Sequence, residues 1–146
     1  MNILLVEDNE DDVFITKKAF KEITVKNNLY VVRDGEEALD FVFHRGDYED
    51  KQKYPTPDLI LLDINMPKMD GFQVLETLKK DLEYMMIPVI MLTSSKNEDD
   101  ITRSYRNHAA SYIHKPIDYD EFVKVVNGFC LYWHNINEFP YKKPGK

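Results

Sequence analysis

The chain has 146 residues, 43% of them hydrophobic and 31% charged, with a net charge of −7. This is the make-up of one soluble globular domain, long enough to bury roughly two-thirds of the surface its unfolded chain exposes. The acidic balance excludes a nucleic-acid footprint, and one cysteine, Cys130, excludes an internal disulfide and fits a reducing compartment.

Met1-Asn2 runs straight into apolar Ile3 to Val6, with no basic region ahead of a long apolar run. The stretch from Phe122 to Trp133 is broken by Lys124, Asn127 and Gly128, too short and too polar to span a bilayer. A cytoplasmic protein without a membrane partner is expected.

In chain order, Ile3-Leu4-Leu5-Val6 reads as a first strand ending at Glu7-Asp8. Asn9 caps a helix whose first turn carries Glu10, Asp11 and Asp12, with Val13, Phe14, Ala19, Phe20 and Ile23 as its apolar side. Leu29 to Val32 is a second strand, and Asp34-Gly35 turns it into a helix facing inward through Ala38, Leu39, Val42 and Phe43. The polar stretch from His44 to Thr56 reads as a helix tail and loop, its Tyr48 and Tyr54 as surface decoration. Leu59 to Leu62, leading to Asp63, is a strand buried on both faces.

Beyond Gly71, residues Phe72, Val74, Leu75, Leu78 and Leu82 outline a third helix. Ile87 to Leu92 is a fourth strand ending at Thr93-Ser94-Ser95, and a polar helix follows over roughly 98–107. Tyr112-Ile113 is a short fifth strand ending at His114-Lys115-Pro116. Asp118 and Glu121 form a capping-box-like start to the last helix, whose stripe of Phe122, Val126, Phe129, Trp133 and Ile136 is core in its first half. Cys130 reads as a buried small hydrophobe, and the four scattered histidines as structural or surface residues. Strands alternating with helices five times predict a doubly wound α/β domain with a parallel sheet covered on both faces.

In such a sheet the strands' carboxyl ends share one edge, so Glu7-Asp8, Asp63, Thr93 and Lys115 meet in one crevice. Three carboxylates together repel unless a cation neutralises them, and hard oxygen donors suit Mg²⁺ better than zinc. Lys115 adds a point charge and Thr93 a hydroxyl donor. The set is fit to bind a phosphoryl group carried on, or delivered to, a carboxylate. Taken singly, each has a plainer reading: a strand-end Asp is ordinarily a turn former or cap, and most lysines are surface charges.

The pattern resembles the receiver domain of two-component response regulators. The resemblance rests on Glu7-Asp8, on Asp63 within Asp-Ile-Asn-Met-Pro-x-Met-Asp-Gly, on Thr93-Ser94 and on Lys115-Pro116, and it runs from Asn2 to about Trp133. It implies a flavodoxin-like (βα)5 sheet of order 2-1-3-4-5, with a receiver domain over 1–134 and a C-terminal extension over 135–146. It makes Asp63 the acceptor of a phosphoryl group from a sensor histidine kinase. Asp8, Asp63 and the Asn65 backbone carbonyl would hold Mg²⁺, and Glu7 would act through a metal-bound water.

Lys115 would pair with the phosphoryl group, the Lys115–Pro116 bond would be cis, and Thr93 and Tyr112 would form the switch. Tyr112 would rotate inward after Thr93 moves, altering the face of the fourth helix, fifth strand and fifth helix. Ser95 and Asn65 would flank the route of a hydrolytic water.

The long segment after His44 and the chain beyond Phe129 resemble regulators that partner bacterial phytochromes, as does His-Arg-Gly-x-Tyr at residues 44–48. That resemblance implies a homodimer through the C-terminal helix region, where Tyr132, Trp133, Ile136, Phe139 and Tyr141 continue the apolar pattern. Two other readings stay open. One is a receiver-like module that binds a partner without phosphate. The other is a phosphatase with an aspartyl nucleophile, which would ordinarily carry a second acid where Asn65 stands.

Overall fold

Apolar runs of four or five residues pair side by side into a single parallel sheet. The computed structural model describes residues 1–116 and 118–138. Its strands are β1 (Asn2–Val6), β2 (Asn28–Val32), β3 (Leu59–Leu62), β4 (Val89–Thr93) and β5 (Ser111–His114), in the order β2-β1-β3-β4-β5. Helices α1 (Glu10–Glu22), α2 (Gly35–Phe43), α3 (Gly71–Lys80), α4 (Glu98–Arg106) and α5 (Tyr119–Leu131) follow the strands in turn. A 3₁₀ turn at Gly46–Tyr48 follows α2, and a π turn at Tyr132–Ile136 prolongs α5.

This order and right-handed crossovers fix which face each helix covers. The step from β1 to β2 runs opposite to the steps from β2 onward, so α1 lies across the sheet from α2, α3 and α4. Side chains alternate accordingly. Leu4, Val6, Ile60, Leu62, Val89 and Met91 join Ala38, Phe72, Leu75 and Ala109 in one core. Ile3, Leu5, Leu59, Leu61, Ile90 and Leu92 join Ala19, Phe20, Phe122, Val126, Phe129 and Cys130 in the other, beneath α1 and α5.

Caps define the helix starts. The Asn9 side chain accepts from the Asp12 N–H at 3.0 Å, as its position before three acids predicts. The reciprocal capping box falls at Asp70 and Gln73, opening α3. Asp118 instead caps α5 through the Asp120 N–H, while Glu121 pairs with Lys124.

Several apolar positions depart from expectation. Phe14 is 69% exposed, because Val13 beside it takes the inward position and the next residue turns about 100° away. Leu82 is 88% exposed: α3 ends at Lys80, so helical spacing no longer aims residue 82 at the core. In α2, Phe41 is the buried ring and Phe43 only half-buried. Tyr48 and Tyr54, expected as surface decoration, pack on Phe41 with ring centroids 5.1 and 5.7 Å away. The Lys115–Pro116 bond, expected to be cis, is trans, the form intrinsically favoured by about 0.5–1 kcal/mol before proline.

Among the described residues no helix is long and apolar enough to cross a membrane. The π turn carries the helical path through residue 135 to Ile136, with Tyr132 and Ile136 exposed. Phe139, Tyr141 and the rest of the expected extension from 139 to 146 lie outside the described residues.

Candidate functional site

The same two-residue alternation that sorts the core carries the charged groups past the strand ends. Glu7 continues the parity of Ile3 and Leu5, Asp63 that of Leu59 and Leu61, and Lys115 that of Ile113. These side chains therefore gather on the α1 and α5 side of the rim. Thr93 continues the parity of Val89 and Met91 and is buried toward α4.

One donor oxygen from each of Glu7, Asp8 and Asp63 lies within 4.8 Å of the others. Glu7 is 1% exposed, whereas Asp63 is half-buried and Asp8 exposed, so the cluster opens to solvent on one side. Asp63 Oδ1 accepts the Ile64 N–H at 2.9 Å, and the Asp63 N–H reaches back to the Val6 carbonyl at 3.1 Å. Asp8 accepts no hydrogen bond among the described residues, and neither does the backbone carbonyl of exposed Asn65. A site of three carboxylates without His or Cys fits a hard divalent cation that keeps water ligands.

The β3–α3 loop is clamped by two glycines. A Cβ on Gly71 would lie 2.3 Å from the Asp63 carbonyl oxygen, and one on Gly35 would lie 2.6 Å from that of Met69. Gly71 thus marks a close backbone approach against the residue that carries the central carboxylate.

Lys115 closes the site. Its backbone N–H donates to the Thr93 carbonyl at 2.8 Å, and its ammonium donates to Glu7 Oε1 and, at 3.2 Å, to Asp12 Oδ2. Burial pushes the Glu7 carboxyl up to about 7, with the Lys115 ammonium pulling against it and Asp63 adding to the rise. Burial lowers Lys115, but Glu7, Asp63 and Asp12 outweigh it and hold the ammonium above the ordinary lysine value. Asp12 was legible only as a first-turn acid suited to the helix dipole. Its contact with a lysine 103 positions away leaves no local trace in the sequence.

On the α4 side, Thr93 Oγ1 accepts the Ser95 N–H at 3.3 Å. The Tyr112 hydroxyl donates to the Ser95 carbonyl at 2.8 Å, and His114 Nε2 lies 2.9 Å from the Ser94 carbonyl. Alternate β5 side chains thereby hold consecutive carbonyls of the β4–α4 loop. Tyr112 is half-buried and packs against the core beneath α4 and β5. Two further residues brace this loop without any local mark in the sequence: the Tyr105 hydroxyl accepts the Tyr112 N–H at 3.2 Å, and Asp100 accepts from Ser95 Oγ at 2.8 Å.

A five-stranded doubly wound sheet with a carboxylate cluster in its crevice and a lysine closing it fits the receiver class that the sequence motifs resemble. The chain belongs to the response regulator receiver domain family, which matches residues 3–127. It is 40% identical over 131 residues to response regulator Rcp1 of Synechocystis sp., covering 90% of this chain and 87% of that one. Two solved structures show the likeness in three dimensions. The phosphorylated cyanobacterial phytochrome response regulator RcpA superposes with a TM-score of 0.88 at 38% identity, covering 96% and 98% of the two chains. The Mn²⁺-bound form of Rcp1 gives 0.85 at 38% identity, covering 96% and 99%.

Proposed function

We propose that this protein is a phosphorylation switch in which Asp63 accepts a phosphoryl group from a sensor histidine kinase, one coupled to a phytochrome. The observation that carries the reading is the meeting of Glu7, Asp8 and Asp63 beside the Lys115 ammonium. Asp8, Asp63 and the Asn65 carbonyl would hold Mg²⁺, with Glu7 acting through a water. That ion would offset negative charge on the transferring group.

A carboxylate oxygen of Asp63 attacks phosphorus, the bond to the kinase's phosphohistidine nitrogen breaks, and the imidazole leaves with the electron pair. Lys115 offsets charge on the transferring group and stays paired with a phosphoryl oxygen afterwards, and Thr93 Oγ1 turns from the Ser95 N–H to donate to another. The Ser95 carbonyl held by Tyr112 moves with it, changing the face formed by α4, β5 and α5. Chemistry is confined to the protein's own phosphorylation and dephosphorylation, the latter by a water passing Asn65 and Ser95.

The similarity to phytochrome regulators supports a sensor-kinase partner; the protein itself would be cytoplasmic, and the exposed Tyr132 and Ile136 at the end of α5 would form the homodimer face. Size-exclusion chromatography should show a dimer at raised concentration, and a monomer throughout would remove that part. The main test is intact-mass spectrometry after incubation with acetyl phosphate and Mg²⁺. Wild type should gain one phosphoryl group and Asp63→Asn none. No gain, or an equal gain in both, would contradict the assignment.

A further inference from the structure

Asp12 grips the Lys115 ammonium from outside the carboxylate cluster, and we propose that this contact restrains phosphorylation by competing for the lysine. The inference rests on the reading of Asp63 as phosphoryl acceptor. Lys115 is rooted by its backbone bond to Thr93, so its ammonium can reach a new partner only by swinging the side chain. Two of its three N–H donors are already committed, one to buried Glu7 and one to Asp12.

Asp12 itself is fixed. Its N–H is held by the Asn9 side chain at 3.0 Å and its carbonyl by Thr16 Oγ1 at 2.7 Å. Its carboxylate stands apart from the Glu7, Asp8 and Asp63 cluster, with the side chain 43% exposed. Beside it a cavity of about 260 Å³ opens between α1 and α5, lined also by Ile15, Pro116 and Tyr119. There is room for the pair to part.

A phosphoryl group on Asp63 brings new negative charge and draws the ammonium toward it. The contact that yields is the longer and wetter one, since releasing Glu7 would leave a buried carboxylate without its cation. Asp12 therefore stabilises the unphosphorylated protein more than the phosphorylated one. For a pair whose acid is half-exposed and whose lysine is largely buried, the differential corresponds to roughly a two- to fivefold change in phosphorylation.

The test compares initial rates of phosphorylation by acetyl phosphate at saturating Mg²⁺. Asp12→Asn should react roughly two- to fivefold faster than wild type. Asp12→Glu, which keeps the charge within reach of Lys115, should stay at the wild-type rate. Asp11→Asn, an equal charge change on the exposed neighbouring residue, separates the contact from a general loss of repulsion toward an anionic donor. If Asp12→Asn is no faster than Asp11→Asn, or Asp12→Glu is as fast as Asp12→Asn, the restraint is overturned. A wild type that takes up no phosphate overturns the functional reading itself and the restraint with it, a result distinct from equal rates among reactive variants.

Discussion

Two regions of this molecule concentrate acids, and they differ in what those acids have left to do. Beside α2, a hollow of about 430 Å³ is lined by Asp34, Glu36, Glu37, Asp40 and Asp47 together with Arg33 and Tyr48. There Asp34 caps α2, Glu37 accepts from the Arg33 N–H at 2.6 Å and the Tyr48 hydroxyl at 2.7 Å, and Asp40 pairs with Arg45. At the sheet rim only three acids meet, yet Asp8 accepts nothing among the described residues and Asp63 only its neighbour's N–H. Glu36 and Asp47 in the hollow are open too, so what separates the regions is convergence. Among the described residues the rim brings three carboxylate oxygens within 4.8 Å of one another, and the hollow brings no such group together. Acid count alone would have chosen the wrong region.

Truncation beneath the hollow separates the two regions most sharply. Phe41→Ala removes a fully buried ring that Tyr30, Tyr48 and Tyr54 surround and should cost about 3–5 kcal/mol of stability in urea titration. Its folded fraction should bind Mn²⁺ as wild type does. A parallel loss of cation affinity would mean that the regions are coupled.

Gly71→Ala is the converse. The added methyl must displace the Asp63 backbone, so a cost of about 1–3 kcal/mol should come with weakened Mn²⁺ binding by calorimetry. Wild-type affinity in that variant would show that the close approach does not position the rim.

These contrasts show how far the sequence could be read. Apolar runs ending in Glu7, Asp63, Thr93 and Lys115 located the rim, because a parallel sheet brings every strand's carboxyl end to one edge. The roof over Phe41 was not legible: Tyr48 and Tyr54 sit in a polar stretch whose periodicity carries no signal, and only the 3₁₀ turn at Gly46–Tyr48 and the turn closed by the Tyr54 N–H on the Asp50 carbonyl bring them onto α2. Phe14 and Leu82 mark the opposite limit. Composition counts them as apolar, but rotation of α1 and the end of α3 leave them outward. The Asp12–Lys115 contact joins the first helix to the last strand's exit, and only the topology brings those together.

The smallest expected effect belongs to His44, which follows α2 in the left-handed region at φ 57°. Burial, with nearby Lys51, lowers its ring below the ordinary histidine value of 6.5. The unfolded chain then binds the proton more readily, so stability should fall as pH drops from about 6.5 through the folded value. His44→Asn, which tolerates that backbone, should flatten the slope below the ordinary histidine value of 6.5 without touching Mn²⁺ affinity. An unchanged slope would place the titration elsewhere.

The most direct test of the distinction between the two acid-rich regions is Mn²⁺ titration followed by NMR line broadening of assigned backbone amides. Signals of Glu7, Asp8, Asp63 and Ile64 should broaden first and saturate, with Asp34, Glu37 and Asp40 affected only at higher concentration. Broadening that begins in the hollow beside α2, or that never saturates at the rim, would contradict the account.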